Sequence, residues 1–251
     1  MIIRPVKTRL FIPPKDDLFS LIKEGFLDIE LKEKSVIIIT SKVVSIWQGR
    51  CILREKVNNK DGLITKEADF YLEREKIPGK RVILTIKDNL LVPTAGIDES
   101  NGKGYFILWP KNPFKAARDI YDFIQKEYGL KDFGVIITDS RCVPSRRGTI
   151  GFALGYYGFY PLKDYRKTKD VFGRKYKISQ ANLVDSLASS GVLVIGEGNE
   201  QTPIAIIEDV SFIDFERPEP LKEDPLRIKG DDDFYSPLIK GVKWRKGGGG
   251  V

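Results

Sequence analysis

GVIITDSRCVPSRRGTIGFALGYYG, residues 134–158, is the stretch on which the reading of this chain turns. Val135, Ile136, Ile137 and Thr138 are consecutive aliphatic or β-branched residues, the signature of a strand buried on both faces. The run ends on the carboxylate of Asp139, followed by the hydroxyl of Ser140. A strand that hands a carboxylate to a loop places it where a ligand can reach. Beyond it, Arg146 and Arg147 offer two fixed cations able to hold an anion's oxygens with forked hydrogen bonds. Gly148, Gly151, Gly155 and Gly158 then recur through an apolar, aromatic segment, where missing side chains let something else approach the backbone. A glycine-rich core strand beside a surface turn has the same pattern.

Around this stretch the composition is that of a globular protein, with 41% hydrophobic and 31% charged residues in a chain of 251. Such a length buries a substantial core, as one domain or two intimate lobes. No apolar run reaches the roughly 20 residues that span a membrane. The opening MIIRPVKTRL lacks the apolar core of a signal peptide, so the expected location is cytoplasmic. Cys51 and Cys142 stand far apart and read as ordinary reduced thiols. Histidine is absent altogether. That excludes Ser-His-Asp and Cys-His catalysis and imidazole metal ligands, leaving carboxylates, cations, hydroxyls, backbone amides and hard metal ions. The net charge of +7 favours anionic partners such as nucleotides. The basic residues are scattered and form no nucleic-acid-binding motif, which argues against nucleic acid.

Taken in order, residues 2–7 read as a strand, 16–25 as an amphipathic helix and 35–40 (SVIIIT) as a buried strand that delivers Ser41 and Lys42. A polar loop over 55–62 precedes a helix predicted for 63–75. Strands follow at 81–87 and 90–92, then the loop TAGIDESNGKG at 94–104 and a strand at 105–109. Asn112 and Pro113 open a helix that closes at Gly129. A second helix is predicted over 179–189, and the apolar run 192–195 leads to GEGNEQTP at 196–203, with a last strand at 204–207. From residue 215 the composition turns to proline and charge. The expected organisation is one domain over 1–214 and an extension over 215–251, surface-hugging at 215–233 and mobile at 246–251. Strands and helices interleave without regular alternation, which predicts an α+β class with largely antiparallel sheets.

Asp98, Asp139 and Glu197 each lie just beyond an apolar, strand-like run in a loop containing glycine or a hydroxyl. If those ends converge, the carboxylates with Ser140 and Asn101 make an oxygen-rich site suited to Mg2+ or Mn2+. Three close carboxylates repel one another without a cation. Three unrelated turns remain the alternative.

The ordered set SKVVS-x-x-x-GR (41–50), AGIDESN (95–101), VIITDS…RRGTIGFALG (135–155) and GEG (196–198) resembles the coenzyme F420:L-glutamate ligase family, over roughly residues 4–208. The resemblance implies an intertwined α+β fold built as a homodimer, with the active site near the subunit boundary. It implies an enzyme in which an acceptor carboxylate attacks the γ-phosphate of GTP, and the amine of L-glutamate then displaces phosphate from the acyl phosphate. The acceptor would be an anionic deazaflavin precursor. Carried over, Asp98, Asp139 and Glu197 match carboxylates that hold two divalent metals, and Ser140 stands at a metal-contacting hydroxyl. Asn101, Ser41 and Lys42 match nucleotide contacts. The loop Ile195, Gly196, Gly198, Asn199, Glu200, Gln201 and Thr202 matches the surroundings of base and phosphates.

Two departures fall on the nucleotide side. Ile46 replaces a lysine usual in the family, and Thr8, Arg9, Leu10 and Phe11 replace a Gly-Leu-Pro-Leu segment, with Arg9 expected to restore phosphate charge. Arg146 and Arg147 are the expected catalytic cations for the acyl phosphate or the anionic substrate. A ligase for another acceptor and a non-catalytic nucleotide or nucleic-acid binder are the competing readings.

Overall fold

Three runs of β-branched residues lie side by side at the centre of the molecule, and their side chains alternate between two buried faces. The computed structural model describes residues 1–215, 224–228 and 232–250. Its elements are β1 (Ile2–Val6), α1 (Leu18–Gly25), β2 (Ser35–Thr40), α2 (Ser41–Trp47), β3 (Cys51–Leu53), α3 (Lys60–Glu67), β4 (Phe70–Leu72), β5 (Leu84–Lys87), β6 (Leu90–Pro93) and β7 (Tyr105–Ile107). They continue with α4 (Pro113–Tyr128), β8 (Phe133–Cys142), β9 (Thr149–Tyr157), β10 (Leu162–Asp164), β11 (Gln180–Asn182), α5 (Leu183–Ile195), β12 (Ile204–Glu208), α6 (Ser236–Lys240) and β13 (Arg245–Lys246).

The main sheet has the order β1-β12-β2-β8-β9. Only β2 and β8 are parallel, in register from Ser35 opposite Phe133 to Thr40 opposite Thr138. Val36, Ile38, Ile136 and Ile207 pack with Val184, Leu187 and Ala188 of α5. Ile37, Ile39, Val135 and Ile137 pack on the opposite face with residues of α1, α2 and α4. Helices on both faces explain why these strands read as continuous apolar runs.

The glycines of β9 serve this packing. A Cβ on Gly151 would lie 2.7 Å from the Ala188 carbonyl of α5, and one on Gly155 would lie 2.5 Å from the backbone of Pro113 at the start of α4. The register of β8 and β9 shifts between Ile137 and Thr138, placing the two glycines on opposite faces so that each admits a helix.

The helix at 113–128 has the expected caps: Asn112 accepts from the Lys115 amide, and Gly129 adopts a φ of 72°. Three expectations change. The helix predicted over 63–75 is α3, which ends at Glu67; Phe70, Tyr71 and Leu72 instead pair with Ile86, Thr85 and Leu84. The helix predicted over 179–189 starts later, because residues 180–182 pair with β10, and it runs on to Ile195. The apolar run 192–195 is therefore its last turn. Ser41 and Lys42, delivered by β2 as expected, open the short helix α2.

A smaller antiparallel sheet, β13-β4-β5-β6, packs through Ile83, Ala95 and Ile97 with Ile64 and Ala68 of α3. The molecule is α+β with mixed, largely antiparallel sheets. Of the expected extension, residues 216–223, 229–231 and Val251 lie outside the described residues. Where a mobile glycine tail is expected, β13 pairs with β4, and the amides of Gly247, Gly248, Gly249 and Gly250 donate to carbonyls of Asp69, Thr65, Ala68 and Lys66. A Cβ on Gly247 would sit 2.1 Å from the Ala68 carbonyl, so only glycine fits there. Among the described residues, no helix is long and apolar enough to cross a membrane.

Candidate active site

The parallel pairing of β2 and β8 brings their carboxyl ends to the same edge, so Ser41 and Lys42 stand beside Asp139 and Ser140. The end of β1 and the start of β12 reach that edge too, where the Thr8 amide donates to the Gln201 carbonyl at 3.0 Å and the Thr40 amide to the Pro203 carbonyl. The loop after α5 closes one side and the turn at 98–101 closes the other. Asn101 Nδ2 joins them by donating to the Gly198 carbonyl at 2.8 Å. The cleft between has a volume of about 510 Å3. Crevices at the carboxyl ends of parallel strands are where ligands bind in open sheets.

Asp98, Asp139, Ser140 and Glu197 all line this cleft. Asp139 is half-buried, and desolvation pushes its carboxyl up to about 6 despite hydrogen bonds from the Trp109 indole and the Ser140 amide. Trp109 is itself only 3% exposed. Its ring is seated against Gly96, whose φ of 70° and missing Cβ leave the space the indole fills. Behind it, Arg50 donates to the Trp109 carbonyl and pairs with Glu67, which also holds Lys87. Burial alone would push Asp98 up, but the Lys42 ammonium at 2.7 Å and the Ser100 amide and hydroxyl hold its carboxyl below the usual range. Glu197 accepts from Ser140 Oγ at 3.1 Å and from Thr149 Oγ1 at 3.3 Å.

The arrangement differs from a closed metal cage. Among the described residues, no three His, Cys, Asp or Glu side chains group closely enough to hold an ion. Asp98 is near enough to Asp139 to raise its carboxyl, and Glu197 is hydrogen-bonded to Ser140, the residue next to Asp139. Nor does Glu197 follow a strand: Gly196, φ 82°, caps α5 and turns the chain toward the cleft.

The nucleotide-side expectations are placed as follows. Thr8, Arg9, Leu10, Phe11, Ser41, Lys42, Asn101, Ile195, Gly196, Gly198, Asn199, Glu200, Gln201 and Thr202 all line the cleft. Arg9, however, does not offer a free guanidinium. Two of its nitrogens hold Asp16 at 2.8 and 3.0 Å, and a third holds Glu24. Arg146 and Arg147 stand exposed in the turn between β8 and β9, outside the cleft lining. Reading from sequence overlooked Trp109, which sits at the end of an apolar run with nothing to mark it, and Gly96, visible within AGIDESN but not interpretable without its partner.

A family model described as F420-0:Gamma-glutamyl ligase matches residues 6–209. The chain belongs to that family. Similar proteins include the coenzyme F420:L-glutamate ligase of Methanopyrus kandleri, 34% identical over 221 residues, which are 81% of this chain and 85% of that protein. The corresponding ligase of Methanocaldococcus jannaschii is 36% identical over 70% of this chain and 76% of its own length. That of Methanococcus maripaludis strain C7 is 33% identical over 71% and 77%. Membership in the F420-0:gamma-glutamyl ligase family makes the chain an amide-bond-forming ligase, the class its motifs predict.

Proposed function

We propose that this chain is a coenzyme F420-0:L-glutamate ligase that uses GTP and divalent metal to form a γ-glutamyl amide through an acyl phosphate. The observation that carries the reading is the convergence of four sequence-distant segments on one cleft: 41–45, 98–101, 139–140 and 195–202. A ligand with polar groups suits that cleft, because the hydroxyl of Ser45, buried and part of its lining, has no hydrogen-bond partner among the described residues.

The donor set fits Mg2+ or Mn2+ held jointly by protein and substrate. Asp98, Asp139, Glu197 and the Ser140 hydroxyl are hard oxygen donors, and such ions are commonly bound by one or two carboxylates plus substrate phosphates. That accounts for carboxylates that face one cleft without closing a cage. Asp139, half-buried and close to Asp98, keeps its charge at neutral pH more readily beside a cation. Bound metal would neutralise phosphate charge and stabilise charge developing in transfer.

The chain's own residues supply positioning. Trp109 and the Ser140 amide orient Asp139, and Ser100 and Lys42 orient Asp98. Phosphoryl transfer rests on position and charge neutralisation more than on a strong protein base, in keeping with a chain that has no histidine. The acceptor carboxylate takes the γ-phosphoryl group with release of GDP. The amine of L-glutamate then displaces phosphate, losing a proton as the amide forms.

A homodimer goes with this reading. Val171, Phe172 and Ile178 stand 92%, 93% and 73% exposed between β10 and β11, apolar surface that a second copy would cover. The test of the function is release of GDP from GTP that requires both a deazaflavin acceptor and L-glutamate. Turnover with some other carboxylate and none with the deazaflavin would replace this acceptor with another.

A further inference from the structure

Charges lining the cleft do not balance in favour of a polyphosphate. Asp98, Asp139, Glu197 and Glu200 contribute four carboxylates, while the cations are Arg9, Lys42 and Lys103. Two of these three are committed. Arg9 is held by Asp16 and Glu24, and Lys42 by Asp98 and Ser100. Lys103 differs: it is exposed and among the lining residues, and among the described residues no carboxylate, carbonyl or ring engages its ammonium. Two other cations near this turn, Lys60 and Arg54, are both taken by Glu99, which does not line the cleft.

The backbone that presents Lys103 is unusual. Asn101, Lys103 and Gly104 have φ values of 55°, 47° and 86° within one tight turn. Gly102 and Gly104 occupy such a turn naturally, but a lysine in the left-handed region is disfavoured relative to glycine. The turn is held in place from both sides, since the Gly102 amide donates to the Glu99 carbonyl and the Tyr105 amide to the Gly102 carbonyl. Asn101 ties it to the opposite rim at Gly198. A long, unpaired cation thus sits on a clamped turn in the cleft lining.

We infer that Lys103 is a phosphate-binding residue, whose ammonium grips the terminal phosphates of the nucleoside triphosphate in the cleft. This rests on the nucleotide reading above and adds to it the cation that discriminates triphosphate from monophosphate. A mobile ammonium gives a point charge for phosphate oxygens without the geometric demands of a guanidinium. It also engages only when the ligand carries charge far enough from the base to reach the 101–104 turn.

The test is calorimetric titration of the full chain with GTP and with GMP, each with Mg2+ in excess, for wild type, Lys103→Met, Lys103→Gly and Lys103→Arg. Loss of one charge-assisted contact is expected to weaken GTP binding about tenfold in the Met and Gly variants. GMP binding stays unchanged, and Arg keeps GTP affinity within about twofold. Lys103→Gly also relieves the backbone, so its melting temperature is at or above that of wild type while GTP affinity falls. Equal GTP affinity for wild type and Lys103→Met would overturn the inference, as would equal losses for GTP and GMP. Wild-type protein that binds no GTP would instead overturn the nucleotide reading, and this inference with it.

Discussion

Gly96→Ala tests how Asp139 is held. The added Cβ would lie 1.9 Å from Trp109 Nε1 and 2.1 Å from Cε2, against an ordinary contact of 3.4 Å or more. The indole must therefore retreat by about 1.5 Å, beyond the reach of its hydrogen bond to Asp139. Its retreat is opposed by the core, since Trp109 is packed with Phe152 and is almost wholly buried. Two costs combine. Alanine at a φ of 70° costs about 1–2 kcal/mol. Depriving the half-buried Asp139 carboxylate of one donor costs about 1–3 kcal/mol more. A stability loss of about 2–5 kcal/mol is expected, read as a lower urea midpoint with unchanged slope. Trp109→Phe removes the N–H and keeps most of the ring, so it should show chiefly the second cost. In both variants ligase turnover should fall by about 100-fold, because a misplacement of about 1 Å in a group that positions the reactants has that effect. A Gly96→Ala protein within 0.5 kcal/mol of wild type, turning over normally, would refute the reasoning.

The remaining predictions concern other parts of the chain. Arg9 lowers the Asp16 carboxyl to about 2, so this pair stabilises the fold above the unfolded carboxylate range and the gain is lost as pH falls through about 2. Discounted for solvent screening, Asp16→Asn should cost about 1 kcal/mol at pH 7, a difference from wild type that vanishes near pH 2 in paired denaturation curves. Burial pushes the Cys51 thiol up to about 11, whereas Cys142 is exposed. Iodoacetamide at pH 8 should therefore alkylate Cys142 while Cys51 reacts roughly 100-fold more slowly than an ordinary thiol, as peptide mass mapping would show. Gly247→Ala should unseat the C-terminal glycines from α3, with faster amide exchange at 247–250; retained protection there would contradict the close backbone fit.

Much of the main sheet was legible because its strands are buried on both faces, which leaves uninterrupted apolar runs at 35–40, 135–138 and 204–207. The helix at 113–128 was legible through its caps, Asn112, Pro113 and Gly129. Less legible were segments whose state depends on distant pairing. Residues 70–72 read as a continuing helix but are drawn into β4 by β5, and 192–195 read as a strand-like run but complete the last turn of α5 against Ile38. The acidic residues were recognisable from their glycine and hydroxyl neighbours, yet their relation was not. The parallel register of β2 and β8 brings Lys42 beside Asp139, and Asp98 arrives from a separate turn held by its bridge to Ile107. The commitment of Arg9 to Asp16 and Glu24, the support of Asp139 by Trp109 and the seating of the glycine tail depend on contacts between sequence-distant groups that no local pattern encodes.

The central claim is that Asp98, Asp139 and Glu197 serve one metal–nucleotide site. It is tested most directly by titrating Mn2+ into the protein with and without GTP, following free Mn2+ by electron paramagnetic resonance, for wild type, Asp98→Asn, Asp139→Asn and Glu197→Gln. The account predicts that wild type takes up Mn2+ more tightly when GTP is present and that each variant, though folded, loses that gain together with GDP release. Folded variants that retain wild-type Mn2+ uptake and GDP release would contradict it.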